Sequence, residues 1–176
     1  MAKRSVDLKA FIRSVPDWPK KGITFRDITP LLADAEALRA AVDALYAGFV
    51  GCGADCVAAI EARGFIFGAA VAERLGTGFV PIRKKGKLPY DTRSITYELE
   101  YGSDCLEIHS DAIKAGDKVL LIDDVLATGG TMGAACRLIE SVGGIVAGIS
   151  FLVELRGLEG REKLKGYDVK SVVVFD

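Results

Sequence analysis

Residues 119–131 read V-L-L-I-D-D-V-L-A-T-G-G-T and hold the densest set of groups able to do chemistry. Two adjacent carboxylates, Asp123 and Asp124, follow four apolar residues, Val119 to Ile122, that show no polar alternation. Such a run is the pattern of a strand covered on both faces, so the carboxylates fall where that strand comes to the surface. Ala127, Thr128, Gly129, Gly130 and Thr131 come next, small residues with two hydroxyls, before a helical stretch. A short turn of this kind directs successive backbone N–H groups into one concavity beside a helix N-terminus, where a phosphate is stabilised. Gly129 and Gly130 permit close approach and positive φ, and Thr131 can also cap the helix. The carboxylates would repel the phosphate itself. They suit a neighbouring diol, whose hydroxyls donate, or a metal ion. Acid pair and phosphate cradle together describe a holder for a ribose 5-phosphate. A lone Asp–Asp pair reads as an ordinary acidic turn, but the whole 13-residue run does not. Neither G-x-x-x-x-G-K-[ST] nor G-x-G-x-x-G occurs.

Three further segments carry charge or aromatic surface. Glu61-Ala62-Arg63-Gly64-Phe65 follows a buried run directly, and Arg63 offers a planar fork for two acceptors. Arg83-Lys84-Lys85-Gly86-Lys87 puts four cations in five positions. A solvated surface loop is its bland reading; stabilisation of a polyanionic leaving group is the chemical one. Phe25 either packs within its own segment or supplies one apolar face for a flat heterocycle.

Positioning these groups requires a scaffold. Residues 6–15 are expected as a short amphipathic helix closed by Pro16, and residues 23–32 as loop. Asp34 is a good N-cap for a helix with Leu38, Ala41, Val42, Leu45 and Phe49 on one stripe. Buried strands are expected at residues 57–60, 79–82, 119–122, 146–153 and 172–175, with helices at 64–75 and 131–142. Alternation of this kind implies an α/β fold, a doubly wound, mainly parallel five-stranded sheet with right-handed crossovers. Ligands then sit beyond the carboxyl ends of the strands. The acid pair, residues 61–64, residues 83–87 and residues 154–155 all fall at that edge. Residues 86–108 break the pattern, because 95–99 and 105–108 read as a hairpin projecting from the sheet. The chain is read as a single domain, residues 1–176, with residues 1–33 as an N-terminal cap.

Composition narrows the class. Half of the 176 residues are hydrophobic, enough for a sizeable core, and the net charge is −1. Nothing global therefore attracts nucleic acid or an acidic membrane. The longest apolar run, residues 145–153, is about half the ~20 residues a membrane span requires. The four cysteines lack C-x-x-C pairing and His109 is the single histidine, against a structural zinc site and in keeping with a reducing cytoplasm.

Residues 119–131 resemble the phosphoribosyl pyrophosphate (PRPP) motif of the type I phosphoribosyltransferases. G-I-T-F-R-D-I-T-P-L-L from Gly22, E-A-R-G-F-I-F-G from Glu61, R-K-K-G-K-L-P from Arg83, L-E-Y-G-S-D-C-L-E-I-H from Leu99 and L-V-E-L-R-G-L-E-G-R-E-K-L from Leu152 are similar to segments of the adenine phosphoribosyltransferase family, in its order. The resemblance implies transfer of phosphoribose from PRPP to adenine, giving AMP and pyrophosphate, with Mg²⁺ carried by PRPP or pyrophosphate rather than held directly by the chain. It implies that Ala127 to Thr131 hold the 5-phosphate and that Asp123 and Asp124 hold the ribose hydroxyls. Ala62, Arg63, Arg83, Lys84 and Lys87 would lie at or near pyrophosphate or base. Phe25 and Leu155 would sandwich adenine, beside Arg63 and the backbone of Thr24. Glu100 and Tyr101 would tip a flexible closing loop, and a cytoplasmic homodimer is implied, with residues 83–87 near its interface. A phosphoribosyltransferase for another base would share residues 123–131 but not Phe25, the Glu61 segment and Leu155 together. A non-enzymatic regulator would add a nucleic-acid-binding element.

Overall fold

The computed structural model describes residues 6–98 and 102–176. The chain packs as two units, one ending at Ala44 and the other beginning at Leu45.

In the first unit the expected helix over residues 6–15 is replaced by a 3-10 turn, Leu8–Phe11, and strand β1, Arg13–Val15. A helix that short is marginal in water, and β1 instead pairs antiparallel with β2, Phe25–Asp27, Val15 opposite Phe25. The Arg13–Asp27 ion pair (3.6 Å) and a hydrogen bond from Arg26 to Ser14 tie the two strands together. Asp27 then accepts from both the amide and the hydroxyl of Thr29, each at 2.9 Å. That contact starts α1, Thr29–Ala33, so residues 23–32 are not simply loop. Asp34 caps α2, Ala35–Ala47, as expected, accepting from Glu36 N at 3.0 Å and Ala37 N at 2.8 Å. Ala41, Val42 and Leu45 are buried together with Ala37, while Leu38 is half-buried, a stripe slightly rotated from the expected one.

The second unit is a seven-stranded sheet flanked by two longer helices. Its elements are β3 Cys56–Ile60, α3 Arg63–Leu75, β4 Gly78–Lys84, β5 Thr92–Glu98, β6 Ser103–His109, β7 Lys118–Leu126, α4 Gly130–Ser141, β8 Ile145–Leu155 and β9 Val169–Phe175. The order is β5-β6-β4-β3-β7-β8-β9. The expected five strands, β4-β3-β7-β8-β9, are parallel to one another. Alternation along the strands serves two faces. Ala58, Ile60, Leu121 and Phe151 pack with Ala134 and Leu138 of α4. The intervening Ala59 lies under Gly68 of α3. That is the double winding that continuous apolar runs imply.

The hairpin β5–β6 joins the sheet margin instead of standing clear of it. β6 runs antiparallel to β4 through the pairs Arg83–Glu107 and Lys84–Leu106, and Tyr97, Leu106 and Ile108 are buried. Among the described residues no helix is long and apolar enough to cross a membrane.

Candidate active site

β3 and β7 are neighbours although α3 and three strands lie between them in sequence. From β3 the chain builds one way through β4 to the hairpin, and β7, β8 and β9 build the other way. Such a reversal opens a crevice at the carboxyl ends of the two central strands, here a cavity of about 410 Å³.

Two strand ends meet across it. β3 delivers Glu61, Ala62 and Arg63, with a cis peptide between Glu61 and Ala62. β7 delivers Asp123 and Asp124, and it runs on to Leu126 opposite Glu154 of β8. The acid pair therefore lies inside the strand rather than beyond it, a correction to the expected boundary at Ile122. Pairing with β3 ends at Ile122, and the ladder to β8, Asp123 opposite Phe151 and Val125 opposite Val153, fixes the backbone that carries the acids. Gly64 lets α3 start against this strand, because a Cβ there would lie 2.8 Å from Asp123 Oδ1 and 3.2 Å from the Ile122 carbonyl oxygen.

Asp123 Oδ1 accepts from the Asp124 amide at 2.9 Å, and Arg63 Nε lies 2.8 Å from Asp124 Oδ2. Burial, then the charge of Asp124, pushes the Asp123 carboxyl well above the usual carboxylate range. Burial raises Asp124 too, against the opposing pull of Arg63. Asp124 Oδ2 is buried and makes no directed hydrogen bond, the guanidinium approaching off the N–H axis. A ligand hydroxyl or a metal-bound water would satisfy that oxygen.

Ala127 to Thr131 border the same cavity. Gly129 sits at φ 74° and is the N-cap of α4, with no side-chain cap. Thr131 is thus a first-turn residue rather than the cap, and its hydroxyl donates to the Tyr97 hydroxyl at 3.3 Å. The first N–H groups of α4 are left to serve an anion.

Glu61 organises the cations. Its carboxylate accepts from Arg83 Nε at 3.2 Å, Arg83 Nη2 at 2.9 Å and the Lys84 amide at 2.7 Å, and Lys87 Nζ stands 3.5 Å away. Burial alone would raise its pKa; the hydrogen bonds from Lys84 and Arg83 outweigh that and hold it below the ordinary value. Of the expected pyrophosphate residues the structure brings Ala62, Arg63 and Lys84 to the cavity, while Arg83 and Lys87 face Glu61. Lys84 Nζ pairs with Asp104 at 3.0 Å. Tyr97 and Asp104 also line the cavity and were not among the expected site residues. The available signal is the period of β5, which puts Ile95 and buried Tyr97 on one face.

Thr24 and Phe25 belong to the first unit, where the Phe25 ring lies 4.5 Å from that of Trp18, edge-on. Leu155 ends β8 opposite Phe175, outside the lining of the cavity. Glu100 and Tyr101 lie outside the described residues. Among the described residues no three carboxylate, thiol or imidazole side chains gather as metal ligands.

The family described as Phosphoribosyl transferase domain matches residues 28–175, which contain the whole sheet and its crevice. Fold and site thus define a phosphoribosyltransferase. An adenine phosphoribosyltransferase of Thermoanaerobacter pseudethanolicus is 56% identical over 169 residues, covering 96% of this chain and 98% of the relative. Its crystal structure matches with a TM-score of 0.93 over 96% of this chain and 98% of that one. The Saccharomyces cerevisiae enzyme, solved with an imino-altritol bisphosphate and adenine, is 40% identical with a TM-score of 0.88, covering 94% and 96% of the two chains. The chain belongs to the adenine phosphoribosyltransferase family.

Proposed function

We propose that this chain performs purine salvage, transferring phosphoribose from PRPP to N9 of adenine to give AMP and pyrophosphate. The observation that carries the reading is the junction of the Asp123–Asp124 pair, Arg63 and the Ala127–Thr131 loop in one crevice. The bond from the anomeric carbon to pyrophosphate breaks as the N9 bond forms, with positive charge on the ribose and negative charge on the leaving group. The protein's contribution is positioning and electrostatics. Loop N–H groups fix the 5-phosphate, and Asp123 and Asp124 hold the ribose hydroxyls. Ala62, Arg63 and Lys84 receive the pyrophosphate, joined by Arg83 and Lys87 when these exchange Glu61 for ligand or partner. Mg²⁺ carried by PRPP would neutralise pyrophosphate charge, and the buried acceptor on Asp124 would hold a hydroxyl or water of that complex.

Thr24, Phe25, Arg63 and Leu155 are the adenine-binding residues, Phe25 and Leu155 for the ring faces and the Thr24 backbone for the edge. The connection between β5 and β6, with Glu100 and Tyr101, closes over the reacting carbon, and Glu100 takes or relays the base proton. The protein works as a cytoplasmic homodimer. The test is kcat/KM for adenine against hypoxanthine at saturating PRPP and Mg²⁺. Hypoxanthine reverses the donor and acceptor at C6 and N1, so a ratio of at least ~10⁴ is expected from buried hydrogen bonding. A ratio near one would reject adenine as the specific base.

A further inference from the structure

The connection from β8 to β9 forms a wall behind the 5-phosphate loop. Arg161, within it, donates from Nε and Nη2 to the two oxygens of Glu154 at 2.8 and 2.7 Å. Its Nη1 donates to the Val169 carbonyl at 2.9 Å, and Nη2 also reaches Ser171 Oγ at 3.2 Å. One guanidinium thereby fastens the connection to the end of β8 and the start of β9. The Glu154 carboxyl is buried, and the fork holds it below its ordinary pKa. Leu164, buried in the core, anchors the other side.

Between these anchors Gly160 meets the loop backbone to backbone. A Cβ on Gly160 would lie 2.2 Å from the Ala127 carbonyl oxygen and 3.0 Å from Gly129 N. A Cβ on Gly129 would lie 2.2 Å from the Gly160 carbonyl oxygen. Neither backbone can advance without moving the other. Glu154, Gly160 and Arg161 themselves do not line the cavity.

We propose that the Glu154–Arg161 pair is a positioning device for phosphate recognition, holding Gly160 against Ala127 and Gly129 so that the loop keeps its anion-binding shape. The inference rests on residues 127–131 being the 5-phosphate loop. It assigns selectivity for the phosphate end of the substrate to residues that never touch it. A guanidinium fork meets this geometry and an ammonium does not.

The test compares wild type with Arg161→Gln, Arg161→Lys and the double variant Glu154→Gln/Arg161→Gln. Dissociation constants for ribose 5-phosphate and AMP come from calorimetry, and KM for PRPP and for adenine from steady-state rates. Both Arg161 variants should weaken ribose 5-phosphate, AMP and PRPP on the order of ten- to a hundredfold, as small displacements of a binding group do, Arg161→Lys less than Arg161→Gln. KM for adenine should stay nearly constant. Should Arg161→Gln fail to fold, the double variant, which leaves no unpaired buried charge, returns the same reading. Folded variants with unchanged ribose 5-phosphate affinity would overturn the proposal, as would a loss confined to adenine, which would assign the pair to neighbouring Leu155. Ribose 5-phosphate probes the loop without the base, so a chain that did not use adenine would still decide the point.

Discussion

Asp123 and Asp124 set two carboxylates side by side in a buried strand end, with one guanidinium, that of Arg63, paired to Asp124. A carboxyl whose pKa is raised by folding holds its proton more tightly folded than unfolded. Between the ordinary carboxylate value, about 4, and the raised one, stability therefore falls as pH rises. Asp123→Asn removes that charge. Its Tm should exceed wild type at pH 7, and the difference should close as pH falls towards 4, measured by thermal melts across that range. PRPP affinity should meanwhile drop on the order of tenfold or more, since a hydrogen bond to a charged group contributes roughly 1.5–3 kcal/mol. Equal melting at pH 7 would refute the electrostatic account. The acids and the loop after them were legible because chemistry and spacing coincide in one stretch. Tyr97, Asp104 and Gly160 were not, since each reaches the site only through pairing or packing with distant segments.

Elements differ in how openly they announce themselves. β3 and residues 119–122 of β7 show as unbroken apolar runs because both faces are covered. β1 and β2 are three residues each, too short to display a period, and exist through pairing with each other. The end of β7 was hidden because acids inside a strand look like the end of one. Asp34 is the opposite case, a cap visible in sequence and met by two amides. Asp34→Ala should lower stability by about 1 kcal/mol, read by urea denaturation, with kcat at saturating substrates unchanged in the folded protein. For the hairpin, replacing residues 99–101 by a short Gly-containing turn should cut turnover sharply while leaving AMP binding largely intact. Normal turnover in that variant would remove the closing role proposed for Glu100 and Tyr101.

At the scale of the whole molecule, the architecture follows from the order of apolar runs, and the crevice follows from the reversal between β3 and β7. The pairing within the first unit was not derivable from patterning, because Thr24 and Phe25 belong to short, irregular segments. The four cysteines are free. Burial, aided by Asp117 and Asp55, pushes the Cys56 thiol up to about 11. Burial and Glu140 push Cys136 to about 12. Thiolate is the reactive form, so Ellman's reagent should label at most two of the four thiols, Cys52 and Cys105, in the native protein and all four after denaturation. Rapid native labelling of Cys136 would contradict the packing of α4.

With the proposed ligand roles, the Arg63–Asp124 contact would make the crevice a coincidence detector. Each partner already compensates the other across the strand reversal. A molecule bringing only a polyanion draws Arg63 away and strands a buried carboxylate; one bringing only a diol does the converse. Removing one member of such a pair is strongly unfavourable, about 3–5 kcal/mol for a fully buried one, and less here because Arg63 is partly exposed. A ligand with both groups on one ribose replaces both halves at once. Two fragments, a diol and a pyrophosphate, should accordingly bind with positive cooperativity, each raising affinity for the other by the same factor.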